Sequence, residues 1–375
     1  MIMQLHATLL DSLRLLRSRH LFRLTMVLST IAAFALFGTY SFNKNGIKFL
    51  FFDTWENPLI ASNTPGMGAF IAYMFNDVFL KYWLSWGAMI LAVVSTASIL
   101  PDFLSSGAIE LSLARPISRA RMLVYRIVGA VLFVLLQSIV GVTLAYVLIG
   151  MKFGAWIHGM LWAIPLLTLQ FFYLFSFSTL LAVVTRSTLA CVIGTVLLWF
   201  LTFIIQFSAS QLNTLAAQQR SMNQQQSARI ERLEREISEA TPEQQGRVAA
   251  KRASIASAQR RKDDSQRSLN KLLPYAKRLS AAELVVPKTG DLRRIMANQA
   301  KAPTGIEFFS LLSEGKPQFR PQEMSEEEWA DIQQASDDAE RELRNVNVPL
   351  SLGSSLAGTC LLYGVAILIF ARRDF

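Results

Sequence analysis

The sequence predicts an all-α polytopic membrane protein, with six transmembrane helices plus an extracytoplasmic α-helical hairpin insertion. Three observations predict it. Six stretches (24–42, 82–101, 122–149, 155–184, 188–207 and 349–371) are long and apolar, and about 20 residues at ~1.5 Å each cross a ~30 Å hydrocarbon core. Charge is segregated: 42 of the 64 charged residues lie between Ala209 and Asn345, 22 of them basic and 20 acidic. No span carries an ionisable residue near its middle, and Arg126 and His158 stand close to span ends, where long side chains reach the interface. An ion-coupled carrier keeps ionisable groups inside the membrane to bind its ion. Any energy for transport is therefore expected from another subunit.

Residues 1–23 form the cytoplasmic N-terminal segment. Within it Leu5, Leu9, Leu13, Leu16 and Leu21 recur at helical spacing with arginines between them. That pattern predicts a basic amphipathic helix on the anionic inner leaflet, so membrane lipids are its expected partner. The apolar run that follows has the length of a span and no small-residue cleavage pattern, which argues against a removed signal peptide. Residues 24–207 hold the first five spans. Segment 60–81 is apolar but contains Asn76 and Asp77, and is read as surface-lying or half-inserted ahead of the second span. The two cysteines, Cys191 and Cys360, fall in different spans and read as small buried hydrophobes.

Orientation follows from short-loop arginines and lysines. Arg14, Arg17, Arg19, Arg23, Arg115, Arg119, Arg121, Arg126, Arg186, Arg372 and Arg373 fall on one side if all six spans are real. Both termini are then cytoplasmic, in the inner or plasma membrane, and 208–347 lies outside. The net charge of +10 is mostly this positive-inside arginine, so no nucleic acid partner is expected.

The insertion opens with a Gly- and Pro-free run of helix formers, on which Ile230, Leu233 and Ile237 give a short a/d seam. Thr241-Pro242 breaks it, with Gln244 completing a capping box. A second helix follows to about 282, with Val248, Ile255 and Leu269 on one seven-residue repeat that Lys262 interrupts. An antiparallel hairpin over about 209–282 is expected. Its seams are thin, so it is expected to pack against a partner or its symmetry mate. Residues 283–324, punctuated by Pro and Gly, read as irregular. Ser325 and Glu328 cap an acidic helix over 325–345, and 348–375 holds the sixth span and a cytoplasmic tail.

No phosphate-binding G-x-x-x-x-G-K-[ST] loop, HExxH, CxxC or G-x-S-x-G elbow occurs, and three histidines are scattered. No catalytic residue, metal site or cofactor is expected, and the chain does not read as an enzyme. The informative segment is 102–119, between spans two and three. Pro101 is expected to end the second span. Residues 102–114 can form a short helix carrying Phe103, Ile109, Leu111 and Leu113, with Glu110 acidic. Arg115-Pro116-Ile117-Ser118-Arg119 makes a turn, with Ser118 placed to cap the third span.

This segment resembles the permease subunits of type-2 ABC exporters, in which an acidic residue, a Leu-rich stretch and an R-P-[IV]-S-R turn follow the second span. The resemblance continues in Thr185-Arg186-Ser187 and in the terminal Phe370-Ala371-Arg372-Arg373-Asp374-Phe375. The long insertion departs from it. The resemblance implies a separate cytoplasmic ABC ATPase and a homodimer or a pseudo-dimer with a second permease. It makes 102–119 the coupling region, with Glu110, Arg115 and Arg119 in ATPase contact and Pro116 and Ser118 shaping the turn. The alternative reading is a non-transporting scaffold whose residues 209–345 recruit an extracytoplasmic protein, with or without an ABC motor working it mechanically.

Overall fold

The computed structural model describes residues 20–50, 55–104, 118–239, 245–285, 288–303, 308 and 347–372. The chain divides into two compact units. One is Met1–Phe203 with Val285–Pro303 and Asn347–Phe375, and the other is Ile204–Leu284 with Thr304–Val346.

The first unit begins with α1, His20–Gly38. Lys152 donates to the carbonyls of Phe37 (3.1 Å) and Gly38 (2.7 Å), satisfying last-turn acceptors that have no partner within the helix. The apolar part of α1, Arg23–Gly38, is shorter than a full span, and the helix stops before residue 42. The chain turns instead into a small antiparallel sheet of order β1-β2-β3: β1 Tyr40–Asn43, β2 Gly46–Phe49 and β3 Trp55–Glu56. Tyr40 pairs with Phe49 and Asn43 with Gly46. Gly46 is required there, because at φ 151° a Cβ would lie 2.1 Å from the Trp55 carbonyl oxygen. The sheet corrects the all-α expectation locally. Its signal in the sequence is an Asn45-Gly46 turn between short apolar runs, just beyond the stretch 24–42. Tyr40 stacks on Phe153 at 5.3 Å and meets Phe70 edge-on at 5.6 Å, so aromatic packing fastens the sheet to the helices.

Next comes α2, Pro65–Phe103. Thr64 starts it by accepting a 3.3 Å bond from the Met67 N–H, with Pro65 at the first position. From Pro65 onward segment 60–81 is helical and continuous with the expected second span. The stretch Met74–Ala88 winds as a π-helix, and a turn at Ala97–Ser98 precedes the last helical residues, Ile99–Phe103. Pro101 does not end the helix. It sits in the first turn of that final segment, where a missing N–H is tolerated.

α3, Arg119–Phe153, closes on Gly154 in the left-handed conformation (φ 69°). A 3-10 turn, His158–Trp162, leads into α4, Ala163–Thr185. α5 is one helix from Thr188 to Ser238, so the fifth span runs without a break into the first helix of the insertion. α6 covers Gln245–Val285, α7 Thr289–Gln299 and α8 Val348–Arg372. α7 corrects the reading of 283–324 as irregular, in which the flanking Pro287 and Pro303 and the internal Gly290 masked an eleven-residue helix. Among the described residues five helices are long and apolar enough to cross a membrane: α2, α3, the His158–Thr185 stretch, α5 and α8. In the first unit α3 packs on α1 and α4, and α4 packs on α8. The core is aromatic, with Phe37, Phe75, Phe79, Phe133, Phe171 and Phe175 all fully buried.

In the second unit the later part of α5 and α6 run antiparallel. Ser265 donates to the Gln219 carbonyl at 3.0 Å, Asn223 donates to Gln266 at 3.0 Å, and Lys251 pairs with Glu236 at 2.8 Å. One heptad register accommodates all three contacts. It sets Ala216 opposite Leu272, Leu212 opposite Ala276, Ile230 opposite Ala258 and Leu233 opposite Ile255. The buried Ala216, Ile230, Ala258 and Ala276 agree with it. Three of these four layers thus match a large residue with an alanine. The middle layers are polar: Gln219, Asn223 and Gln226 against Leu269, Ser265 and Lys262.

Candidate functional site

Of the sequence-predicted coupling residues, Glu110, Arg115 and Pro116 lie outside the described residues. Ser118 and Arg119 open α3. Ser118 has the extended backbone of an N-cap (φ −65°, ψ 143°), but its hydroxyl makes no bond to the first turn, which corrects the capping role read from the sequence. What the structure does define is the pair of anchors from which 105–117 departs and returns. Phe103, the last residue of α2, is buried. The Arg126 guanidinium of α3 lies 5.2 Å from its ring centre, and the Phe370 ring of α8 is 6.3 Å away.

Three sequence features therefore meet at one point: the end of the second apolar helix, an arginine near the start of the third, and the first residue of the F-A-R-R-D tail. Phe103 and Phe370 had been named as parts of motifs, but their contact joins residues 267 positions apart and no local pattern encodes it. Thr185-Arg186-Ser187 is a compact joint. Arg186 takes the left-handed conformation (φ 54°) and its N–H bonds to the Ala182 carbonyl at 2.9 Å, ending α4. The Ser187 hydroxyl accepts from the Ala190 N–H at 3.4 Å and starts α5.

The interior of the bundle is polar only through neutral groups. Among the described residues, the buried polar side chains are Ser, Thr, Asn and Gln. Two glutamines address the π-helical segment of α2: Gln137 donates to the Ala88 carbonyl at 3.3 Å and Gln170 to the Ser85 carbonyl at 3.4 Å. Wide π turns alter the backbone ladder and recur at functional sites, and here amides from α3 and α4 grip two carbonyls near its end. A small cavity bordered by Leu84, Ala88, Val134, Gln137 and Leu167 adjoins the first of these bonds.

At α7 a helix of the insertion is seated on the bundle. Leu292, Ile295 and Met296 are buried. Ser351 of α8 donates to Asp291 at 2.7 Å, the Lys288 N–H donates to Ser355 at 3.0 Å, and Arg294 pairs with Asp291 at 3.5 Å. Gly159 lets the helix end approach, since a Cβ there would lie 1.7 Å from the Gln299 carbonyl oxygen. Burial pulls the Arg293 guanidinium below the ordinary arginine value, and the nearby Asp77 carboxylate opposes that shift.

A bundle of helices long and apolar enough to cross a membrane is the architecture of a membrane-embedded protein. From residue 14 to residue 375 the chain matches the family model described as ABC-2 family transporter protein, and it belongs to that family. No curated protein and no solved structure matches it. Membership makes it a permease-type membrane component of an ABC transporter, a family that works with ABC ATPases.

Proposed function

We propose that this chain is the membrane-spanning subunit of an ATP-driven exporter, forming the translocation path while a separate cytoplasmic ABC ATPase hydrolyses ATP. The observation that carries the reading is the family match, which runs unbroken through both helices flanking 105–117 and on to the C-terminal tail. The Phe103–Arg126–Phe370 contact supports it physically. Because the end of α2 packs on both α3 and α8 there, a push delivered beside Phe103 reaches all three helices together. In this reading 102–119 is the coupling region: Glu110, Arg115 and Arg119 touch the ATPase, while Pro116 and Ser118 shape the turn. Both termini are cytoplasmic, 208–347 is extracytoplasmic, and the working unit is a homodimer or a pseudo-dimer with a second permease.

The test is a mild-detergent pull-down of the tagged chain from its native cells. A stoichiometric ATPase is expected, and Glu110→Ala or Arg119→Glu should lower its recovery about tenfold, the size of a ~1.4 kcal/mol interface loss. An ATPase that stays bound to both variants would remove the coupling assignment. Absence of any ATPase would remove the exporter reading. The two long helices of the second unit favour one further reading, a scaffold that recruits an extracytoplasmic protein through 209–345. It requires that deleting 209–345 abolish function while substitutions at 102–119 leave it intact.

A further inference from the structure

The antiparallel pair of α5 and α6 is charged unevenly along its length. Residues 204–230 and 265–282 contain six basic residues and no acid, while all seven acids of 204–282 lie in 231–264. Away from the base of the pair, charges are matched: Lys251 pairs with Glu236 at 2.8 Å, Arg235 with Glu231 at 3.7 Å and Arg267 with Asp264 at 3.9 Å. At the base, Lys271, Lys277 and Arg278 are exposed and pair with nothing among the described residues. Lys271, Tyr275 and Arg278 recur at i, i+4 and i+7, which puts them on one face of α6. Tyr275 is 61% exposed.

The level of this stripe follows from α5. That helix begins at Thr188 and its first twenty residues are uncharged. About 20 residues at ~1.5 Å each bring it to the far edge of a ~30 Å hydrocarbon core near Phe207. Ile204 and Phe207 are exposed apolar side chains at that edge. The register fixed by the Ser265–Gln219 and Asn223–Gln266 bonds sets Arg278 opposite Ser210, Lys277 opposite Gln211 and Tyr275 opposite Asn213. Ser210 to Asn213 lie about 5–9 Å beyond Phe207 along the axis, which is the depth of the headgroup layer. Lys271 stands opposite Ala217, and its flexible stem can reach back toward the same layer. A tyrosine and basic side chains at this depth are matched to lipid phosphates and the interface around them.

We propose that the Lys271–Tyr275–Arg278 stripe, with Lys277 beside it, docks on anionic phospholipid headgroups of the leaflet at which α5 leaves the membrane. The ammonium and guanidinium groups bind lipid phosphates, and the tyrosine ring beds among the glycerol groups. Lipid is the occupant because the stripe carries unmatched positive charge at the depth of the phosphates, directly beyond the exposed Ile204 and Phe207. The docking ties the base of the helix pair to the bilayer. It requires only that α5 crosses the membrane, not that the chain exports anything.

The experiment reads amide hydrogen exchange of the full chain in nanodiscs of phosphatidylcholine, with and without phosphatidylglycerol. Phosphatidylglycerol should slow exchange over 265–282 about tenfold and leave 245–264 unchanged. Replacing Lys271, Lys277 and Arg278 together by Gln should abolish the difference, whereas Lys271→Arg with Lys277→Arg should keep it. Protection of α3 and α4 in the same samples reports that each variant is folded. Equal exchange in the two kinds of disc, or slowing that survives the triple Gln replacement, would overturn the proposal. So would slowing reproduced by soluble glycerol phosphate over plain phosphatidylcholine discs, which would assign the stripe to a free phosphate ester. Slowing that appears without lipid, on raising protein concentration in zwitterionic detergent, would assign it to a second copy and overturn the proposal too.

Discussion

The bundle of the first unit and the helix pair of the second solve the same problem with opposite materials. Inside the bundle, Phe, Tyr and Trp interlock. Trp86 stacks on Trp199 at 4.7 Å, Phe171 on Phe175 at 5.2 Å, and the Tyr363 hydroxyl reaches the Phe172 carbonyl at 3.1 Å. The α5–α6 seam instead uses Ala against Leu or Ile, with Gln, Asn and Ser in its middle. In lipid the hydrophobic effect does not discriminate between helix faces, so shape and a few captured polar groups must hold the helices. In water apolar burial is the driving force, and a seam of alanines supplies little of it. The bundle is therefore expected to be the stiff part of the chain and the helix pair the part that gains most from an additional packed segment.

Four substitutions would break or sharpen this contrast. Gly159→Val should have the largest effect. Its side chain meets the Gln299 carbonyl, so α7 must leave its seat at a cost of about 3 kcal/mol. Hydrogen exchange should show protection lost in 289–299 while α3 and α4 keep theirs. Asp77→Asn removes the carboxylate that opposes the desolvation of Arg293. Because Arg293 keeps some solvent contact, a loss of about 2 kcal/mol is expected. Thermal unfolding in detergent checks it, and adding Arg293→Met should recover part of the loss; an unchanged midpoint for Asp77→Asn would separate the two residues.

Gln226→Leu should act in the opposite direction. It replaces a buried amide whose oxygen has no partner and should stabilise the helix pair by about 1 kcal/mol. That is read as slower amide exchange over 219–237. Faster exchange there would mean that the polar layer holds the register. Gln137→Leu should matter least, about 0.6 kcal/mol for one lost interhelical bond to the Ala88 carbonyl. A much larger loss in the same thermal assay would make the π-helical segment dependent on that amide.

Legibility in the sequence follows the range of the signal. Each expected span from the second to the sixth falls on a helix long and apolar enough to cross a membrane, and the helix starts at Arg119 and Thr188 fall within a few residues of the expected span starts at 122 and 188, although the helix that holds the second begins at Pro65 rather than 82. The first span was overestimated because Tyr40 to Phe42 are apolar enough to extend it, although they pair as a strand. Pro101 was read as a stop because only its place in a final helical segment makes it harmless. Phe103, Arg126 and Phe370, which meet beside residues 105–117, are visible in the sequence as residue types but not as a contact.

The amino-acid sequence by itself determined that the chain enters the membrane, which stretches are apolar enough to do so, and that a highly charged stretch precedes the last of them. These are properties of local composition, since transfer free energy accumulates residue by residue along a window. Tertiary structure alone decided the rest. Lys152 capping α1, the aromatic seat of the small sheet, the glutamine grip on α2 and the docking of α7 over Gly159 each depend on residues far apart in sequence. Such contacts are set by which surfaces fit in three dimensions, and no one-dimensional pattern specifies that fit.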